Sequence, residues 1–135
     1  MTKVLFILCL VININATDLK EKIKLQNQQV VQLAAKSLSK ELPKKVDKYT
    51  QLISIKAKDE TLFYTFEIDA PSSDEEIMKK DKSRMQRAVT MGVCKSSKRF
   101  LDSDIKISYV YIGAKSKKKL FQFDIDKTKC EFLPH

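Results

Sequence analysis

The sequence predicts an α+β fold with its elements in the order α-β-β-α-β-β. Three observations lead there. A long stretch near the N-terminus carries apolar residues at helical spacing. Two pairs of short runs with period-two alternation follow, each pair joined by a polar link. Between the pairs lies a second helical stretch, opened by Ser73 and closed near Gly92.

The first helix is expected over residues 18–41. Asp18 stands in an N-cap position with Glu21 three residues later, the spacing of a capping box. Ile23, Val30, Val31, Ala34, Leu38 and Leu42 mark one face, and Gln26 to Gln29 read as exposed polar surface. Pro43 stops the helix, because the residue before a proline avoids helical geometry. Residues 42–50 then read as a connector. In the first strand, Ile53, Ile55 and Ala57 share a face. After the polar Lys58-Asp59-Glu60 turn, Leu62, Tyr64, Phe66 and Ile68 alternate with Phe63, Thr65 and Glu67. So short a link makes the two runs an antiparallel hairpin.

Ala70-Pro71-Ser72-Ser73 breaks the strand, and Ser73 with Glu76 forms a second capping box for a helix over 74–92. Ile77, Asp81, Met85, Ala88 and Val89 follow at helical spacing. Gly92 is placed to end the helix or to let it approach the sheet closely. Ser96 to Leu101 form a further helical turn. Ile105, Ile107, Tyr109 and Tyr111 line one face of the third strand, Gly113 to Lys118 form a loop, and Phe121, Phe123 and Ile125 carry the fourth. Element order alone points to one four-stranded antiparallel sheet with both helices packed on it, a cystatin-like or similar arrangement.

Residues 1–16 have the pattern of a signal peptide: Lys3 as a positive start, Val4 to Ile12 as an apolar run, and Ile14-Asn15-Ala16 as a cleavage site. The run is shorter than the ~20 residues that span a bilayer. Residues 17–135 are the length of one domain. Cleavage removes Cys9 and leaves Cys94 and Cys130, an even number that reads as one disulfide in an exported chain. A loop of that size contributes roughly 4 kcal/mol on the chain-entropy model. A metal site is the weaker reading, because no histidine lies near either sulfur; a redox pair is weaker too, without a C-x-x-C. No metal and no cofactor are expected.

The full chain has 26 Lys and Arg against 17 Asp and Glu, a formal charge of +9. That balance favours an acidic partner. The lysines are spread along the chain, which also fits a solvated surface. Local concentration is highest at Lys115, Lys117, Lys118 and Lys119, a basic contact loop between strands holding Tyr109, Tyr111, Phe121 and Phe123. Basic residues beside aromatics can clamp an anionic chain. The competing reading turns those aromatics inward and leaves the lysines to keep the hairpin tip soluble.

Catalytic signatures are absent. The one histidine, His135, is the terminal residue, a position too mobile for a triad. The pairs Asp102/Asp104 and Asp124/Asp126 flank strands and read as turn or edge charges, and no tryptophan is present to line a sugar cleft. Asp102-Ser103-Asp104 is too short for a calcium loop. With Gly92 and Gly113 the only glycines, a phosphate-cradling loop is excluded.

Leu42-Pro43, Val46-Asp47, Thr50 and Leu52 stand ahead of Tyr64-Thr65-Phe66, Cys94, Tyr109-Val110-Tyr111 and Cys130. This pattern resembles a loose group of small, signal-peptide-bearing bacterial exported proteins. The resemblance implies an exported α+β domain bridged between Cys94 and Cys130, and it implies no activity. The Gly113–Lys119 loop departs from the group's Asp/Gly-type turn. The expected function is that of a non-enzymatic exported binding protein, periplasmic or extracellular, acting by protein–protein contact as an inhibitor or immunity-type protein. The alternative is an accessory component of an envelope secretion or pilus assembly; an unrecognised enzyme comes last. The expected partner is another protein with acidic surface. Nucleic acid is disfavoured, and contact with a membrane surface stays open.

Overall fold

A computed structural model describes residues 16–133, the side chains of Ser72 and Ser73 excepted. Residues 1–15 of the expected signal peptide, Cys9 among them, and His135 lie outside the described residues. No described helix is long and apolar enough to cross a membrane.

Helix α1 spans Ala16–Leu38 and tightens into a 3-10 turn over Ser39–Glu41 before Pro43. Asp18 therefore lies inside the first turn and does not cap it. Asn27, Val31 and Ala35 are its buried residues. Asn27 corrects the reading of Gln26 to Gln29 as surface: its Nδ2 donates to Glu60 Oε2 at 2.8 Å and to the Ser103 carbonyl at 2.9 Å. Those partners belong to turns at one end of the sheet, so the turns of α1 before Asn27 run past that end, and residues 16–26 are all exposed. This is why Ile23, assigned to the core face, is 46% exposed.

The sheet has five strands, β1 (Lys44–Lys45), β2 (Thr50–Lys58), β3 (Thr61–Ile68), β4 (Lys106–Gly113) and β5 (Lys119–Ile125), in that spatial order. It is mixed, which corrects the expected four-stranded antiparallel sheet and with it the cystatin-like arrangement. β3 and β4 run parallel, with Leu62 beside Ile107, Tyr64 beside Tyr109 and Phe66 beside Tyr111; the other pairings are antiparallel. The cause lies in the connection. The helical segment between the hairpins carries the chain back along the sheet, so β4 enters in the direction of β3. β1 is two exposed lysines opposite Gln51 and Leu52, too short to leave any alternation in the sequence.

The helix expected over 74–92 is two helices, α2 (Ser72–Lys80) and α3 (Lys82–Ser96), broken at Asp81. Pro71 occupies the N-cap position of α2, in place of Ser73. The break resets the helical phase: Met78, Met85 and Val89 pack on the core, while Ile77 is 65% exposed. α3 continues through Gly92, which therefore neither ends it nor meets the sheet; a β-carbon there would meet nothing within 4 Å. Helix α4 (Lys98–Asp102) leads into β4. After β5 comes a short helix with no counterpart in the expected element order, α5 (Lys127–Glu131), whose N-cap Asp126 accepts from the Lys129 amide at 3.0 Å.

The core lies between the helices and one sheet face. Under α1, α3 and α4 it contains Val31, Ile55, Leu62, Val93, Leu101, Ile105, Ile107 and Ile125. Farther along the strands it contains Phe66, Ile68, Tyr111, Leu120, Phe121 and Phe123. Phe63 and Thr65 point to the opposite face of β3, away from α1, and are half-buried.

Candidate functional site

Cys94 on α3 and Cys130 on α5 are joined by a disulfide spanning 36 positions, with their Cα atoms 5.6 Å apart. It floors a groove of about 900 Å³, within the usual volume of small binding sites. One wall is formed by Met91, Gly92 and Lys95 of α3 with Lys98, Leu101 and Asp102 of α4. The other is formed by Lys127 and Glu131 of α5, and by Leu133. Its interior is mainly apolar: the thioether of Met91, the disulfide, Leu101 and Leu133. Its charged lining residues are exposed, and Lys98 Nζ lies 2.6 Å from Asp102 Oδ2. Gly92 keeps the groove wide, because any larger side chain at that position would project into open space. Met91 is 49% and Phe132 82% exposed, so apolar surface continues past the groove. An apolar trough bordered by exposed charged residues suits the desolvation of an apolar segment.

The basic loop stands elsewhere. It closes the far end of the β4–β5 hairpin, with the eight residues of β4, roughly 25 Å of strand, between it and the groove end. Two of its four lysines are engaged within the molecule. Lys117 Nζ lies 2.6 Å from Glu67 Oε1, and Lys119 Nζ donates to Gln122 Oε1 at 3.1 Å. Ser116 Oγ donates to the buried Glu75 at 2.9 Å and fastens the loop to α2. Lys115 and Lys118 are exposed. The aromatics of the flanking strands turn inward, so no clamp forms: Phe121 and Phe123 are 2% exposed, and Tyr111 stacks on Phe66 with ring centroids 4.9 Å apart. Burial, reinforced by neighbouring Tyr109, pushes the Tyr64 phenol up to about 12. Burial raises Tyr109 as well, and raises Tyr111 with added contributions from Tyr109 and Asp47. All three stay protonated at neutral pH.

The carboxylate pairs separate into structural roles. Asp124 Oδ1 accepts from Ser108 Oγ at 2.7 Å and from Gln122 Nε2 at 3.1 Å. The Ser108 bond is the main reason its carboxyl is held below the ordinary range, with Gln122, Lys129 and Lys119 adding to it against partial burial. Asp126 caps α5, Asp102 pairs with Lys98, and Asp104 sits in a turn at φ 63°. Among the described residues no group of three or more His, Cys, Asp or Glu is placed to hold a metal ion. The sequence left the groove itself unread. Its signals are the exposed Met91, and the apolar Phe132 and Leu133 that follow Cys130 and Glu131.

Three solved structures share this fold. A Pseudomonas aeruginosa protein assigned as secreted superposes with a TM-score of 0.73 at 14% identity, over 80% of this chain and 96% of its own. The pilotin EpsS of the Vibrio vulnificus type 2 secretion system gives 0.64 at 11% identity, over 85% and 99%. The type II secretion pilotin AspS of Vibrio cholerae gives 0.64 at 13% identity, over 82% and 98%. At these identities the likeness is one of fold. No curated protein matches the chain. The profile of the domain of unknown function DUF8479 matches residues 24–121, most of the chain, and the protein belongs to that family.

Proposed function

We propose that this protein is a non-enzymatic, exported accessory component of an envelope secretion assembly, and that it holds an apolar segment of another protein in the groove beside Cys94–Cys130. The groove carries the reading: about 900 Å³ of mainly apolar surface whose charged lining residues are all exposed. Two type II secretion pilotins with the same fold support the envelope role over the inhibitor or immunity-type role, which rests on size alone. The disulfide fits an oxidising compartment outside the cytoplasm.

Gly92→Trp provides the test, since it fills the groove from a position where a β-carbon meets nothing. Immobilised wild-type protein should retain one discrete secretion-assembly component from an envelope extract, and Gly92→Trp should weaken that retention about tenfold or more. Retention unchanged by Gly92→Trp would remove the groove from the function. Capture of a hydrolase whose activity the protein then blocks would restore the inhibitor reading.

A further inference from the structure

We infer that the Cys94–Cys130 disulfide is a latch that builds the groove, so that partner-binding competence is acquired by oxidation on export; this rests on the groove being the binding site. The reason is how little else holds α5. The helix has five residues and no buried one. A helix that short does not persist in water on its own. Its other ties are the Asp126 cap, a hydrogen bond from Lys129 Nζ to the Asp124 carbonyl, the half-buried Cys130 side chain packed at the core edge, and the approach of its backbone to α3 around that bond. Yet α5 and Leu133 make up one entire wall of the groove. The opposite wall is anchored independently, by Val93 of α3 and Leu101 of α4, at 1% and 2% exposure. One covalent bond therefore joins a firm wall to a loosely held one.

The chemistry is thiol–disulfide exchange. In the reduced chain the Cys94 and Cys130 thiols give two electrons and two protons to the disulfide of an oxidant. The S–S bond between them forms, and the oxidant leaves as a dithiol. Before that step α5 is free and the groove has one wall. Afterwards both walls stand.

Amide NMR spectra of the oxidised protein and of the same sample reduced with dithiothreitol test this without any partner. On reduction the amide shifts of Lys127–Glu131 should collapse to unstructured values, while those of β3 and β4 keep their folded positions. The Cys94→Ala/Cys130→Ala double variant should reproduce the reduced spectrum without reagent. In parallel, the part of anilinonaphthalene sulfonate binding that Gly92→Trp abolishes should fall about tenfold or more on reduction. Two outcomes overturn the inference: α5 shifts unchanged by reduction, or β3 and β4 shifts lost together with those of α5, which would make the bond a global support. Neither depends on which protein the groove holds, so a failed capture and a failed latch are told apart.

Discussion

Gly113 and Glu75 approach so closely that a β-carbon at position 113 would overlap the Glu75 carboxylate and the Ser116 hydroxyl bonded to it. The last residue of β4 thus doubles as the seat of an acid from α2, and the basic hairpin tip is fastened there. Gly113→Ala should lower stability by about 1–3 kcal/mol, as overpacking at buried positions does, and Glu75→Ala in the same chain should recover part of the loss. Denaturant midpoints of the single and double variants check this. An unchanged midpoint for Gly113→Ala would mean that Glu75 swings clear at no cost.

Gly92 has the opposite character. It lies inside α3, is exposed, and has open space where a side chain would stand. Gly92→Ala should therefore raise stability by about 0.5–1 kcal/mol through reduced unfolded-state entropy and better helix propensity. A thermal melt is sufficient, and a lower melting temperature would show that the groove side of α3 needs the glycine backbone.

Asp124 supplies a pH dependence with a definite sign. Its folded carboxyl is held below the ordinary value, chiefly by Ser108, so the stability it contributes is present above the unfolded carboxylate pKa of ~3.9 and is lost as pH falls through the depressed folded value. Ser108→Ala should bring the Asp124 pKa back towards ~3.9, and the acid-side loss of stability should become shallower. Carbon-detected NMR titration of Asp124 measures the first; urea midpoints across the acidic range measure the second.

The lysine loop should prove mostly inert. Lys115→Gln and Lys118→Gln should change stability by no more than about 0.5 kcal/mol, as exposed substitutions do. Lys117→Gln, which loses the Glu67 pair, should cost at most about 1 kcal/mol. The loop is at the far end of the hairpin from the groove. A variant with Lys115, Lys117, Lys118 and Lys119 all changed to glutamine should therefore associate with a captured partner at the wild-type rate in both low and high salt. A loss of rate confined to low salt would give the loop a steering role.

Local pattern made much of this molecule legible before its fold was described. The alternation in Leu62-Phe63-Tyr64-Thr65-Phe66 and in Ile107-Ser108-Tyr109-Val110-Tyr111 specified two strands and their buried faces, because side-chain period in a strand is a property of the backbone. Pro43 ended the first helical segment by local sterics, and the two cysteines of residues 17–135 implied the bridge by their number. The short break at Asp81 was less visible, since the residues around it are good helix formers and the phase reset appears only in which of Ile77 and Met78 reaches the core.

Relations between distant segments were decided by tertiary structure. Whether β3 and β4 run parallel depends on the path of the helices between them, and no alternation within either strand encodes that path. Asn27 looks like one polar residue among glutamines until Glu60 and Ser103, 33 and 76 positions away, close on it. The groove belongs to the same class. Met91, Leu101 and Leu133 are unremarkable apolar residues in sequence, and they become the lining of one cavity only where α5, joined to α3 by Cys94–Cys130, lies beside it with the space at Gly92 unfilled.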